Sequence, residues 1–326
     1  MTSREIVKRA IRFQNPPRIA YNFDSNRTPV DGISYGEDMM WVFAAQKPLV
    51  DGVNEWGVKY ETVDDSFGEP KEFPLEEAED LEDLENYQFP DFTEDWRYDE
   101  MRKQIKENNK EKYVLGMIPH GIFQHMIDMF GFMGFMMNVG GNIEMVEKMA
   151  DMFCDSAIGV VKKMAECGVD GVITIDDLAL QDRLMVSMDV FVEVFKPRFE
   201  RLYKACHDLG LDTFIHCCGY TLDLIEHLIE AGCDVVNLDQ QDNMGMEKLS
   251  ERYKGRICFY CPIDIQRTLD LDEKGIEERV VQMIQAFATE KGGFIAKTYP
   301  QPRAIQMSDE YLKTMTDAFK KHGVVK

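Results

Sequence analysis

From Tyr113 onward, short apolar runs alternate with longer stretches whose apolar residues recur at spacings of three and four. The first pattern belongs to buried strands and the second to amphipathic helices, so their alternation predicts β-α units and a parallel sheet. The runs are Val114–Ile118, Gly171–Ile175, Thr213–His216, Val235–Leu238, Ile257–Tyr260 and Phe294–Lys297, and an earlier one, Arg18–Phe23, follows a short N-terminal helix. Their near-continuous apolar character suits strands covered on both faces. Seven strands are legible where eight close a barrel, so one is missing or misread. Helices are predicted over Asn142–Cys167, Asp189–Leu209, Leu222–Ala231, Lys274–Thr289 and Ser308–His322. Several of them reach a glycine just before a strand (Gly168, Gly210, Gly232), where positive φ is needed.

The stretch from about residue 25 to 112 breaks this rhythm. It holds NEWGVKYE (Asn54–Glu61), which reads as a hairpin outside the barrel, and an acidic run from Glu69 through Glu100. We read it as an insertion over one face of the barrel. No internal repeat or low-complexity linker divides the chain, so residues 1–326 read as one domain: an α/β protein, a TIM (β/α)8 barrel with an N-terminal insertion.

Composition narrows the role. Hydrophobic residues at 44% support a full core, and no run approaches the ~18 apolar residues of a membrane span. The opening MTSREIVKRAIRFQ reads as an amphipathic helix rather than a secretory leader, which points to a cytoplasmic protein. The eight cysteines are then expected as reduced thiols, free for packing or metal binding. A net charge of −22, with Lys and Arg scattered among acids, argues against nucleic acid and anionic membrane as partners. The acidic run reads as a solvated connection; its functional alternative is a surface that meets a protein partner or a second copy of the chain in a homodimer.

In a parallel barrel, functional groups gather at the C-terminal ends of strands. After the apolar runs come Asp24, His120, Asp176 and Asp177, His216 to Cys218, Asp239 to Gln241, Cys261 with Asp264, and Tyr299. Alternation along an extended segment lets His216 and Cys218 face one ion while Cys217 faces the wall. Imidazole and thiolate favour zinc, and an open catalytic site takes three protein ligands, so Cys261, ending the strand two after His216, is the expected third. Cys258 and Cys233 read as core. Asp176, Asp177 and Gln181 orient substrate, support the metal ligands or cap a helix, and Asp239 with its two glutamines lines the pocket or caps a loop. The Met- and Phe-dense PHGIFQHMIDMFGFMGFMM (119–137) reads mainly as core, though such side chains also suit an apolar substrate. Asp177 and Asp239 are assigned catalytic roles, and Tyr21, Met117, His120, Phe123, Asp176, Gln181, Tyr260 and Tyr299 are assigned to substrate binding.

The run GVDGVITIDDLALQDRLMVS, then FKPRFERLYKACHDLGLDTFIHCCGYTLDLIEHLIEAGCDVVNLDQQ, CFYCPIDIQRTL and GGFIAKTYPQP, resembles the uroporphyrinogen decarboxylase superfamily over most of the chain. QNPPRIAYNFD and FPLEEAEDLEDLENYQFPD agree with it. The decarboxylase itself carries an arginine-rich N-terminal motif, where this chain has PPRIAYNFDSNRTP. The His-x-Cys element looks instead like the branch of zinc-binding, cobalamin-dependent methyltransferases, of O-demethylase methyltransferase I type. The coenzyme M enzymes of that branch usually take a last thiolate from a loop after the final strand, and no Cys follows Cys261 here.

The resemblance implies methyl transfer involving a corrinoid (methylcobalamin) held on a separate partner protein, with a small-molecule methyl donor. In one direction zinc polarises the ether oxygen of a methoxylated aromatic while Co(I) attacks the methyl group; in the other, zinc activates an acceptor thiol toward methyl-Co(III). The rim is rich in Asp, Gln, Tyr, Met and Phe, with Lys297, Arg303 and Arg183 its few basic residues, so an aryl methyl ether fits better than a sulfonated thiol. A zinc-dependent O-demethylase component is therefore expected. The alternatives are a thiol methyltransferase, a uroporphyrinogen-type decarboxylase using Asp24, Asp176 and Asp177, and a non-enzymatic corrinoid-binding protein.

Overall fold

A computed structural model describes residues 1–24, 36–61 and 68–324. Eight parallel strands form a barrel: β1 (Ala20–Asn22), β2 (Met39–Phe43), β5 (Tyr113–Met117), β6 (Gly171–Ile175), β7 (Asp212–His216), β8 (Val235–Asn237), β9 (Cys258–Cys261) and β10 (Phe294–Lys297). Two further strands, β3 (Lys59–Glu61) and β4 (Glu69–Glu72), pair antiparallel outside it. The eighth barrel strand, missing from the sequence reading, is β2, which lies inside the stretch assigned to the insertion. Its MMWVF is a single short apolar run, and the outer strand pair comes between it and the helices Leu81–Asn86 and Asp99–Asn108, so the β-α rhythm gives no cue. Residues 25–35 and 62–67 of that stretch lie outside the described residues.

The seam between β1 and β2 is closed through Asp38. Its N–H donates to Tyr21 O (3.2 Å), its carboxylate accepts from Tyr21 N (2.8 Å), and its carbonyl accepts from Tyr113 N (2.9 Å). Arg18 pairs with the same buried carboxylate at 2.6 Å. The side chain and backbone of this one residue thus satisfy groups that a missing ladder would leave bare.

Strand parity sorts the core. Ala20, Met39, Tyr113, Leu115, Ile173, Phe214, Val235, Cys258, Tyr260 and Ile295 point inward and pack on one another, and Ile6, Val7, Ala10 and Ile11 of the first helix, Ser3–Ile11, plug the base beneath them. Arg4 and Lys8 pair with Asp170, and Arg12 with Asp212, pinning that helix to the N-terminal ends of β6 and β7. The intervening residues, among them Val172, Ile215, Val236, Phe259 and Ala296, face the surrounding helices in a second, larger core. Those helices include Ile143–Cys167, Lys196–Asp208, Leu224–Ala231, Glu273–Phe287 and Asp309–His322. Among the described residues, no helix is long and apolar enough to cross a membrane.

The acidic stretch is more ordered than a solvated connection. Leu75, Leu84, Phe92 and Tyr98 are buried, and Arg97, itself buried, pairs with Glu55 at 2.6 Å while donating to the carbonyls of Ala45 and Asp91. The segment 44–61 is thereby tied to the run through Arg97, which brings Trp56 over the barrel rim beside His120 and His125.

Candidate metal centre and adjoining cleft

With Phe214 inward on β7, two-residue periodicity turns His216 toward the barrel axis at the C-terminal mouth. The same parity places Asp177 beyond β6 and Asn237 and Asp239 on and beyond β8 at that level. Among the described residues, Asp177, His216 and Cys218 form a group whose ligating atoms all lie within 4.8 Å of one another. His216 Nε2 is 3.4 Å from Cys218 Sγ and 3.7 Å from Asp177 Oδ1. Ligands held about 2.0–2.3 Å from a tetrahedral zinc sit roughly 3.3–3.8 Å apart, so these three donors fit that ion.

The tautomer of His216 follows from its neighbours. Asn237 Nδ2 donates to Asp239 Oδ1 (2.9 Å) and to Tyr260 O (2.8 Å), both pure acceptors, which fixes the amide and turns Oδ1 toward His216. That oxygen lies 2.9 Å from His216 Nδ1, so Nδ1 carries the proton and Nε2 presents its lone pair to the other donors. Lys297 Nζ donates to the same oxygen (3.2 Å) and to Asp239 (3.0 Å).

Electrostatics suits a cation here. Burial pushes the Cys218 thiol pKa well up, and the charges of Asp177 and then Asp239 push it further, against a smaller opposing effect of Lys297. Burial also acts to raise the Asp239 carboxyl, but Lys297 and His216 outweigh it and the net shift is downward. A thiolate at position 218 therefore needs a positive partner beyond Lys297, which a divalent ion would supply.

The loop carrying Cys218 is locked at Gly219. Its φ is +85°, and a Cβ there would lie 2.4 Å from Leu180 O and 2.6 Å from Ala179 O. That close approach seats Cys218 on the loop after Asp177, where its N–H donates to Asp177 Oδ1 at 2.7 Å. Cys217 points the other way, its sulfur accepting from Leu178 N at 3.3 Å.

Cys261 stands apart from this group. It shares the outward parity of Phe259, opposite to Cys258 and Tyr260, and packs in the layer between sheet and helices. Burial holds its thiol up at about 12, eased by hydrogen bonds from Leu238 and Gln241. Ending a strand of the same barrel is not enough for a ligand; the residue must also fall on the inward parity. Asp177, read from the sequence as catalytic, is the residue that joins His216 and Cys218 in the cluster.

The residues assigned to substrate binding divide by the same rule. Tyr21 and Phe123 lie in the outer layer, Tyr21 donating to Phe319 O (3.2 Å) and Phe123 stacked edge-on against Phe135 and Phe195. Asp176 also turns outward. Its Oδ1 accepts from Phe123 N (2.7 Å) and Gln124 N (3.1 Å), capping the helix Gln124–Gly141, and burial raises its carboxyl to about 7. Gln181 sits on the rim, donating to Gln240 (3.3 Å) and accepting from Asn243 (3.0 Å). Tyr260 lies below the Asp177, His216 and Cys218 group, its hydroxyl accepting from Asn22. Tyr299 is at their level: burial holds its hydroxyl up at about 12, and the charges of Asp239, Cys218 and Asp177 add to the shift.

Met117 and His120 line a cleft of about 440 Å³ beside the mouth. Its inner wall is Ile175, the register partner of His216. Its outer wall comes from the N-terminal segment through Gln46, Asn54, Trp56 and Tyr60, with Gln124, His125 and Asp128 between. His120 is committed structurally: Nδ1–H donates to Gly121 O (3.2 Å), Nε2 accepts from Ser156 (3.0 Å), and burial lowers its pKa to about 3, with a further contribution from His125. Trp56 and Tyr60 carried no sequence signal that would mark them as cleft residues, and His125 and Asp128 lie in the 119–137 stretch that read mainly as core.

The sequence matches the family described as "Uroporphyrinogen decarboxylase (URO-D)" over residues 53–321. Among solved structures, the chain is similar to a methyltransferase from Methanosarcina mazei, with a TM-score of 0.74 and 14% identity over 98% of this chain and 99% of that one. At lower similarity it also aligns with a B12-independent methionine synthase from Shewanella sp. W3-18-1, with a TM-score of 0.44 and 14% identity over 69% of this chain and 65% of the other. Comparison with curated protein sequences gives no match.

Proposed function

Because the chain belongs to the uroporphyrinogen decarboxylase (URO-D) family, we propose that it works at the barrel mouth as a zinc-dependent methyltransferase, moving a methyl group from a methoxylated aromatic to the Co(I) corrinoid of a partner protein. The observation that carries this reading is the convergence of Asp177, His216 and Cys218, a carboxylate, an imidazole with its lone pair free and a thiol, at one open point. Three protein donors with a fourth position open is the arrangement of a catalytic rather than a structural zinc. When bound, zinc supplies a Lewis acid for the ether oxygen of the donor, easing departure of the aryl oxide.

The chain's own residues prepare that step. Asn237 holds His216 in the ligating tautomer, and Lys297 and Asp239 hold Asn237. Tyr299 keeps its proton at neutral pH and stands at the rim to donate to an oxygen bearing developing charge. The cleft beside Ile175 and Met117 takes the ring and keeps water from it.

Two alternatives draw less from the site. A sulfonated thiol acceptor asks for a free cation, and Lys297 is already paired with Asp239. A decarboxylase resting on Asp176 loses that group to helix capping.

Metal analysis of the purified protein tests the centre: about one zinc per chain is expected, lost in His216→Ala, Cys218→Ala and Asp177→Ala and kept in Cys261→Ala. Methyl transfer to a Co(I) corrinoid protein from a panel of methoxyarenes, methanol, methylamines and methylthiols then tests the reaction. Full metal content and activity in Cys218→Ala, or activity that survives complete removal of zinc, would overturn the proposal.

A further inference from the structure

The cleft has a polar end that the metal centre does not use. Asp128 Oδ2 accepts from the Tyr60 hydroxyl at 3.3 Å and lies 3.4 Å from His125 Nδ1. The Asp128 side chain keeps 15% of its surface exposed, on the cleft wall. His125 is 8% exposed, its ring packs edge-on against Trp56 at 4.5 Å, and its Nε2 is buried without a hydrogen-bond partner. An unpaired polar atom at that depth is costly, and here it adjoins a cavity large enough for a substituted ring.

The composition of the wall sets the sign of what fits. Among the described residues, no lysine or arginine lines the cleft, and its charged group is the Asp128 carboxylate. A ligand carboxylate or sulfonate would be buried beside a like charge with no counter-ion, while a hydroxyl or ammonium would find an acceptor. Trp56 and Tyr60 add aromatic surface for a flat ring or a cationic group.

We infer that Asp128, flanked by Tyr60 and His125, forms the specificity-determining end of the substrate cleft, selecting an organic substrate that presents a hydrogen-bond donor, a phenolic hydroxyl or an ammonium, and rejecting one that presents an anion. This rests on the proposed function only in taking the cleft as the place where that site receives its substrate. On this inference the donor group of the substrate lies at Asp128 and its reacting end toward Ile175, the register partner of His216.

Isothermal calorimetry on the zinc-loaded chain, with no corrinoid present, tests it using one ring scaffold with three head groups: 3-methoxyphenol, 3-methoxybenzylamine and 3-methoxybenzoate. The phenol and the amine are expected to bind about tenfold or more tighter than the benzoate, as one hydrogen bond to a charged group warrants. Asp128→Asn is expected to shrink that preference to roughly threefold or less, mainly by improving the benzoate. Tyr60→Phe, which leaves the carboxylate in place, is expected to keep the preference, and circular dichroism of both variants separates lost selectivity from lost folding. Benzoate binding as tight as the phenol's, a preference untouched in a folded Asp128→Asn, or no binding of any of the three would overturn the inference. Selective binding without any methyl transfer would instead count against the proposed reaction and leave the inference standing.

Discussion

His216 Nδ1 lies 2.9 Å from Asn237 Oδ1, and this contact decides which nitrogen of the imidazole faces Asp177 and Cys218. The amide cannot turn over, because its nitrogen is held by Tyr260 O and Asp239 Oδ1. Asn237→Ala should therefore leave the ligands in place but free the ring, lowering zinc affinity by about 10–100-fold. Asn237→Asp should do no better, since it sets an oxygen against two acceptors. Competition against a chromophoric zinc chelator measures both, and unchanged affinity in Asn237→Ala would refute the role.

Lys297 and Asp239 form an ion pair at 3.0 Å with side chains 6% and 1% exposed. Removing one partner strands the other charge in the barrel. Lys297→Met should cost about 3–5 kcal/mol, and the double variant with Asp239→Asn should recover much of it. Urea unfolding of the single and double variants reads the difference; equal stabilities would show that the pair is solvated in practice.

The pH dependence of stability should carry a His120 component. The folded protein holds this histidine at about 3, against an ordinary value of 6.5, so between those values the unfolded chain binds the extra proton. Its contribution is present above about pH 6.5 and is lost as pH falls from there toward about 3. His120→Gln should unfold with a shallower loss of stability on acidification than the parent. Parallel slopes in the two proteins between pH 6.5 and 4 would rule the component out.

Gly219 and Gly210 both have positive φ, at +85° and +77°, but only Gly219 has backbone carbonyls where a Cβ would go. Gly210→Ala should cost about 1 kcal/mol and spare the site. Gly219→Ala should push the Cys218 loop off the loop after Asp177 and lower zinc content as well as stability. Metal content and thermal unfolding of the two variants, compared side by side, test this. Equal zinc content would show that the close approach is dispensable.

What the sequence determined by itself was the architecture and the level of the site. Seven barrel strands stand in the apolar runs because a strand buried on both faces must be apolar along its length, and the polar residues after those runs mark the C-terminal mouth. His216 and Cys218 were legible as a pair because two-residue periodicity is local. The tertiary structure decided what depends on parity between strands and on distant segments. It paired the MMWVF strand with β5, turned Cys261 to the outer layer and Asp177 toward His216, and laid Trp56 and Tyr60 against a cleft lined by residues 117–121, 124, 125 and 128. A one-residue difference in register reverses the direction of a side chain, and no local pattern reports how two strands are registered against each other. The His-x-Cys pair is thus written in the chain, while its third partner is set by the closing of the barrel.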